Sequence, residues 1–238
     1  MAKFRRDVVH RWEGNPLITI EDIPFPCNTV FNAACAKYNG QYILLLRIED
    51  LTGRSVFALG RSENGIHFKI EDEPVMQPCE EEGCFKEYER KGIEDPRITK
   101  IGEVYYIMYT AVSAYGPLLA IAKTEDFKKF ERVGLVSQPD NKDGVLFPEK
   151  INGSYVKLDR PHSDISPWAV WVSFSPDMIH WGQSKVIFQP VPYHWDEMKI
   201  GPGATPIKTA QGWLNIYHGV FPTMDGAVYR LGVGLHDL

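Results

Sequence analysis

Residues 92–109 read GIEDPRITKIGEVYYIMY. Two short runs rich in Ile, Val and Tyr flank Gly102-Glu103, which is the pattern of two antiparallel strands joined by a tight turn. Glu94 and Asp95 stand at the entry to the first strand, directly before Pro96 and Arg97. Pro96 offers no N–H to a sheet ladder and biases Asp95 toward extended backbone. A stiffly held acid at a strand mouth is placed to give a proton to a bound substrate. The plainer reading of the same hexapeptide is a structural Asp95–Arg97 ion pair at a turn.

Outward from this hairpin the pattern repeats. A first copy reads FNAACAKYNGQYILLLRIED (31–50) and SVFALGRSENGIHF (55–68); the second continues to LLAIAKTEDFKKF (118–130). A third reads LFPEKINGSYVKLDRP (146–161) and AVWVSFSPDMIHW (169–181), and a fourth GPGATPIKTAQGWLNIYHGV (201–220) and VYRLGVGLHDL (228–238). Each copy has a turn glycine: Gly40, Gly102, Gly153 and Gly212. Three copies carry a later polar turn, Ser62-Glu63-Asn64-Gly65, Thr124-Glu125-Asp126 or Ser175-Pro176-Asp177, followed by Phe68, Phe130 or Trp181. Units of roughly 50–60 residues, each able to make about four strands, predict an all-β propeller rather than an irregular sandwich. The expectation is one incomplete propeller domain over residues 1–238, of about four blades. Trp12 to Ile20 is the candidate for a single closing strand.

The composition sets outer limits. The chain has 238 residues and a net charge of -5, which disfavours a nucleic-acid partner. No window approaches the roughly 20 apolar residues of a membrane helix, and MAKFRRDVVHRWEGNP lacks the apolar stretch of a secretory signal. The expected location is therefore cytoplasmic, with no membrane partner. Cys27, Cys35, Cys79 and Cys84 have no metal-site spacing, so no metal is expected, and Cys35 reads as a small core residue.

In a propeller the first strands surround an axis, and the loops at one end form a funnel. Aligning the repeats sets Asn28 to Asn32, Glu94 to Arg97, Phe147 to Lys150 and Lys199 to Thr205 opposite one another. The mouth then holds Asp95, Lys150 and Lys199, with Arg47, Glu49, Asp50, Arg160, His162 and His218 at the ends of second strands. Lys150, Arg160, Lys199 and His218 together suit a phosphate or sulfate, with Arg160 bidentate; singly, each is an ordinary surface charge. Tyr115, Trp168, Tyr193 and Trp195 lie in loops and are candidates for a sugar platform, whereas strand aromatics serve blade packing. GPGATP lacks the Lys-Ser/Thr ending of a phosphate-binding P-loop, and no nucleophile elbow is present.

At GIEDPRITKIGEVYYIMYTA (92–111), LFPEKINGSYVKLDRP (146–161) and KIGPGATPIKTAQGWLNIYHG (199–219) the chain resembles glycoside hydrolase family 130, and within it the β-mannoside phosphorylases. The similarity runs from NPLIT (15–19) to YRLGVGLHDL (229–238). The resemblance implies a five-bladed β-propeller, here without the fifth blade and the further sugar-contacting acid it carries. It implies inverting cleavage of β-mannosides by inorganic phosphate to give α-mannose 1-phosphate, with phosphate as co-substrate and no other cofactor. Related members use water. Asp95 matches the proton donor. Asn28, Thr29, Arg47 and Asp50 fall where the family contacts mannose, and Lys150, Arg160, Lys199, His218 and Tyr229 where it holds phosphate.

An inverting reaction needs an acid on the leaving oxygen and a nucleophile on the opposite face of the sugar. Water needs a carboxylate base, whereas phosphate is already anionic and needs a cationic cradle. The expected partners are a mannosyl oligosaccharide, phosphate and, across an unclosed ring, a second copy of the chain. The other readings are a β-mannoside hydrolase of the same fold and a sugar-binding propeller or inactive fragment without turnover.

Overall fold

Short β-branched and aromatic runs punctuated by Gly, Asn and Asp give sixteen strands in the computed structural model, which describes residues 12–237. Blade 1 comprises β1 (Cys27–Tyr38), β2 (Gln41–Asp50), β3 (Ser55–Ser62) and β4 (Lys69–Ile70). Blade 2 comprises β5 (Gly92–Ile101), β6 (Val104–Ser113), β7 (Gly116–Thr124) and β8 (Glu131–Leu135). Blade 3 comprises β9 (Asn141–Leu146), β10 (Tyr155–Pro161), β11 (Val170–Ser175) and β12 (Gly182–Phe188). Blade 4 comprises β13 (Lys199–Pro202), β14 (Ile207–Thr209), β15 (Gly212–Thr223) and β16 (Gly226–His236). In blade 4, β13 and β14 are two pieces of one inner edge, both paired to β15, and β16 is the outer edge.

Within each blade all neighbours are antiparallel, and the first strands of successive blades touch in order. Blades 1 and 2 are also tied by a single parallel pairing, Ser55 with Gly92. There a Cβ on residue 92 would lie 2.8 Å from the Ser55 nitrogen, and φ is +127°. Only glycine fits that approach.

The predicted turns are where the repeat placed them. Asn39-Gly40 and Asn152-Gly153 both have positive φ, as the tight hairpin turns of twisted strands require. The three later turns share one hydrogen-bond pattern. Ser62, Thr124 and Ser175 each accept two backbone N–H groups through the hydroxyl. Asn64, Asp126 and Asp177 each accept two more through the side-chain oxygen.

Alternation along the strands sends apolar side chains between the blades. Phe57, Leu45, Ile107 and Tyr109 join blades 1 and 2. Met108, Leu119, Leu146 and Met178 join blades 2 and 3. Val145, Leu158, Val172 and Trp213 join blades 3 and 4. Each such large side chain contributes about 1.5–3 kcal/mol by leaving water. Between blades 1 and 2, after helix α1 (Cys84–Tyr88), Glu89 is fully buried. It accepts from the Tyr109 hydroxyl, Arg132 and the Cys79 N–H, so its charge is compensated on both oxygens.

Two expectations are corrected. Within 12–20 no residue is in a strand; the chain makes a 3-10 turn at Ile20–Asp22, and Ile18, Ile23 and Phe25 pack on the face of blade 1 that points away from blade 2. Cys35 is exposed, because Ala34, Ala36 and Tyr38 take the inward positions at that end of β1.

Candidate active site

The hexapeptide that opens β5 does not run as regular strand. A bulge between Glu94 and Arg97 breaks the register with β6, and Asp95 has φ +52°. Asp95 therefore adopts left-handed backbone, not the extended form that the following proline favours. Such strain persists only where the surroundings impose it, and it clusters at functional sites. The bulge turns both acids toward the axis.

Arg47, on β2, holds them. Its Nη1 donates to Asp95 Oδ1 at 2.9 Å, and its Nη2 lies 2.9 Å from Glu94 Oε1. Its Nε donates to the Ser55 hydroxyl at 2.9 Å, and its guanidinium lies over the Phe31 ring. From the opposite side, Lys142 on β9 reaches Glu94 Oε2 at 2.8 Å and Asp95 Oδ2 at 3.7 Å. Burial would depress the Lys142 ammonium, but Asp95 and Glu94 outweigh it and hold its pKa above the usual value. The expected Asp95–Arg97 ion pair does not form through the carboxylate. Arg97 donates instead to the backbone carbonyl of Asp95 at 2.7 Å, and to the carbonyl of Gly203 at 2.8 Å.

Arg97 also leads to the cations. Its Nη2 lies 3.7 Å from Asp143 Oδ1, and Asp143 Oδ2 accepts from Arg160 Nε at 2.7 Å and faces His218 Nε2 at 3.6 Å. Burial would raise the Asp143 pKa, but Arg160, His218 and Arg97 overcome it, so the carboxyl is held ionised. Burial lowers His218, and Arg97, Arg160 and Lys199 add to that, against the pull of Asp143. Trp168 lies beneath both Arg160 and Lys199, with cation-to-ring distances of 5.4 and 5.1 Å. The Tyr229 ring lies 5.4 Å from the Lys199 ammonium and 5.7 Å from the His218 ring.

The structure thus brings Asp95, Arg47, Arg160, Lys199, His218 and Tyr229 to one mouth. Asn28 and Thr29 lie at the same end of blade 1; Asn28 donates to Glu49 and to the Asp50 carbonyl, and Thr29 pairs with Glu49 across the ladder. The Asp50 carboxylate accepts from Thr52 and Arg54 and so closes the β2–β3 loop. His162 packs on Trp168 and bonds Asp140. Trp195 stacks on Tyr217, while Tyr193 and Tyr115 are exposed.

Lys150 is not brought to the mouth. It is exposed at the turn end of blade 3, its ammonium over Tyr155, five residues along β10 from Arg160. That span is about 16 Å of extended chain. The copy-three alignment started one strand segment late: β9 begins at Asn141, so Lys142 and Asp143 face the EDPR bulge. Arg97, read from the sequence as the ion-pair partner of Asp95, instead links the acids to the cations. Lys142 and Asp143 are the residues that sequence reasoning missed. Their signal was NKDG at 141–144, a polar opening to a strand. Among the described residues no three His, Cys, Asp or Glu side chains gather as a metal ion would need.

A propeller whose axis carries a carboxylate pair facing a nest of cations has the makings of a glycan-processing enzyme that handles an anion. Comparison with known proteins narrows this. The family described as beta-1,4-mannooligosaccharide phosphorylase matches residues 4–238, and the chain belongs to that family, glycoside hydrolase family 130. The beta-1,2-mannobiose phosphorylase of Listeria innocua, solved with beta-1,2-mannobiose, superposes with a TM-score of 0.85 at 32% identity, over 96% of this chain and 79% of that one. The 1,2-beta-oligomannan phosphorylase of Thermoanaerobacter is 40% identical over 88% of this chain and 69% of its own. The beta-1,4-mannooligosaccharide phosphorylase of Ruminococcus albus is 33% identical over 98% of this chain and 70% of its own. The fold is that of the five-bladed propellers of this family, with four blades in this chain.

Proposed function

We infer that the chain is a glycoside phosphorylase that cleaves β-mannosides with inorganic phosphate, with inversion, releasing α-mannose 1-phosphate. The observation that carries this is the linkage of one acid pair to one cation nest through Arg97, with Asp95 on one side and Arg160, Lys199 and His218 on the other. In this reading Asp95 gives a proton to the leaving oxygen, directly or through a substrate hydroxyl. Phosphate occupies the cation side and attacks the anomeric carbon from the face opposite the leaving group. Arg160 Nε is committed to Asp143, so its two terminal nitrogens remain for a phosphate edge.

Lys142 takes the place that Lys150 held in the sequence reading. It bridges both acids in the free protein, and an incoming phosphate offers it a second anion. Arg47 orients the acid pair; Asn28, Thr29 and Asp50 form the mannose side of the mouth. Tyr229 and Trp168 wall the anion site. Asp143 fixes Arg160 and His218 and adds a negative charge behind them, which limits the site to one anion.

The test is product analysis with β-1,2- and β-1,4-mannobiose, with and without phosphate. Phosphate-dependent mannose 1-phosphate is expected. Free mannose at a rate indifferent to phosphate would mean hydrolysis, and sugar binding without any product would mean a binding propeller.

A further inference from the structure

On the far face of β10 lies a second polar site. Leu158 and Arg160 point toward blade 4, so Lys157 and Asp159 point the other way, toward blade 2. There an open groove of about 480 Å³ runs between the blades, within the size range of small-ligand sites. Its floor holds Asn141, Lys157 and Asp159, which are only 6%, 2% and 2% exposed. Asn141 Nδ2 donates to Asp159 Oδ2 at 3.1 Å, and the Lys157 ammonium bonds the same oxygen. That leaves Asn141 Oδ1 and Asp159 Oδ1 buried with no hydrogen-bond partner among the described residues. Two indoles, Trp171 and Trp181, form walls, and Ser184 lies at the rim.

We propose that this interblade groove is a second binding site, for a neutral saccharide. The orphaned groups are both acceptors, closed to solvent in the free groove. The occupant must therefore bring donors and draw the Asn141 and Asp159 side chains toward it, as a pair of hydroxyls does. An anion would meet two bare oxygens. A cation would meet the Lys157 ammonium. Water satisfies the oxygens but gains nothing from two indole walls, whereas the C–H faces of a sugar ring bury against them. None of the groove residues belongs to the acid and cation cluster at the axis, so the proposal does not depend on phosphorolysis.

The experiment is calorimetric titration of the whole chain with manno-, cello- and xylotriose in phosphate-free buffer, for the wild type, Ser184→Tyr and Trp171→Phe. Ser184 is exposed at the rim, and its hydroxyl bonds that of buried Ser173 at 2.8 Å. A tyrosine there enters the groove and loses that bond. Ser184→Ala is the control that loses the bond alone and should bind as the wild type does. The expected result is a binding event that Ser184→Tyr weakens at least tenfold and Trp171→Phe weakens less, while turnover of mannobiose by Ser184→Tyr is unchanged. Wild-type and Ser184→Tyr isotherms that superimpose for all three sugars would overturn the proposal and leave a hydrated gap. Groove-dependent binding without mannose 1-phosphate formation would sink the phosphorylase reading and leave this one standing.

Discussion

A carboxylate held by two cations and a guanidinium held by a carboxylate do different things, and single substitutions separate them. Asp95→Asn keeps the shape but has no proton to give. Its rate of mannose 1-phosphate formation should fall by about 10²–10⁴, the range for a positioned general acid. Arg160→Lys keeps the charge but loses the fork. Its KM for phosphate should rise by roughly 10–100-fold, equivalent to one charge-assisted hydrogen bond, with a smaller change in kcat. Initial rates across a phosphate series check both. Two half-buried imidazoles make a pH prediction. His218 and His236 are both held below the ordinary histidine value, chiefly by burial. The unfolded chain therefore takes up protons first, and native stability should decline as pH falls through the unfolded value of about 6.5. Asp143 and Asp50 have lowered values, so their contribution is present above the usual carboxylate range and is lost only below it. Urea midpoints at pH 7.5 and 5.5 isolate the histidine part, and His218→Gln should flatten it.

The blades are assembled by a few close approaches. At the Ser55–Gly92 bridge the first two blades share their only parallel pairing, and Gly92 leads directly into the bulge that presents Asp95. Gly92→Ala should destabilise by about 1–3 kcal/mol from backbone strain alone, with the clash at Ser55 in addition. Because the acid sits three residues on, the same change should lower kcat even at temperatures where the variant remains folded. A thermal melt alongside rates at 25 °C separates the two effects. A variant with unchanged melting and unchanged rate would show that the bridge is not what sets the bulge. The three shared side-chain turns have the opposite character. They are local, and each was readable because a hydroxyl and an Asn or Asp two residues later can satisfy four N–H groups without help from elsewhere.

Across the whole molecule, apolar clusters join each blade to the next, and the last blade presents an apolar row to solvent. On β16, the outer strand of blade 4, Tyr229, Leu231, Val233 and Leu235 are exposed in alternation. The chain spans 69–79% of the length of the three phosphorylases named above. A row of apolar side chains on an edge strand invites pairing with other chains. Leu231→Lys with Leu235→Lys should reduce light scattering at high protein concentration while leaving the thermal midpoint nearly unchanged. Equal scattering by both proteins would place the association elsewhere. Among the described residues no helix is long and apolar enough to cross a membrane.

The sequence alone determined the strand periodicity, the turn chemistry and the repeat, because period-two alternation and Gly, Asn, Ser and Asp turns are local and need no partner to be read. It also marked Asp95, since the acid–proline–arginine run is local too. The register between copies was decided only by the tertiary structure. Copies of unequal length can be slid past one another until packing settles them, and the slide set Lys150 opposite the acids, where the structure has Lys142. Only the assembled blades could place Arg97 between the acid and the cations, or leave Asp159 at the floor of a groove. Arg97 and Asp143 are 46 positions apart, Asp143 and Arg160 are 17 apart, and Asp159 and Arg160 lie on opposite faces of one strand, where nothing local distinguishes a buried charge from a solvated one.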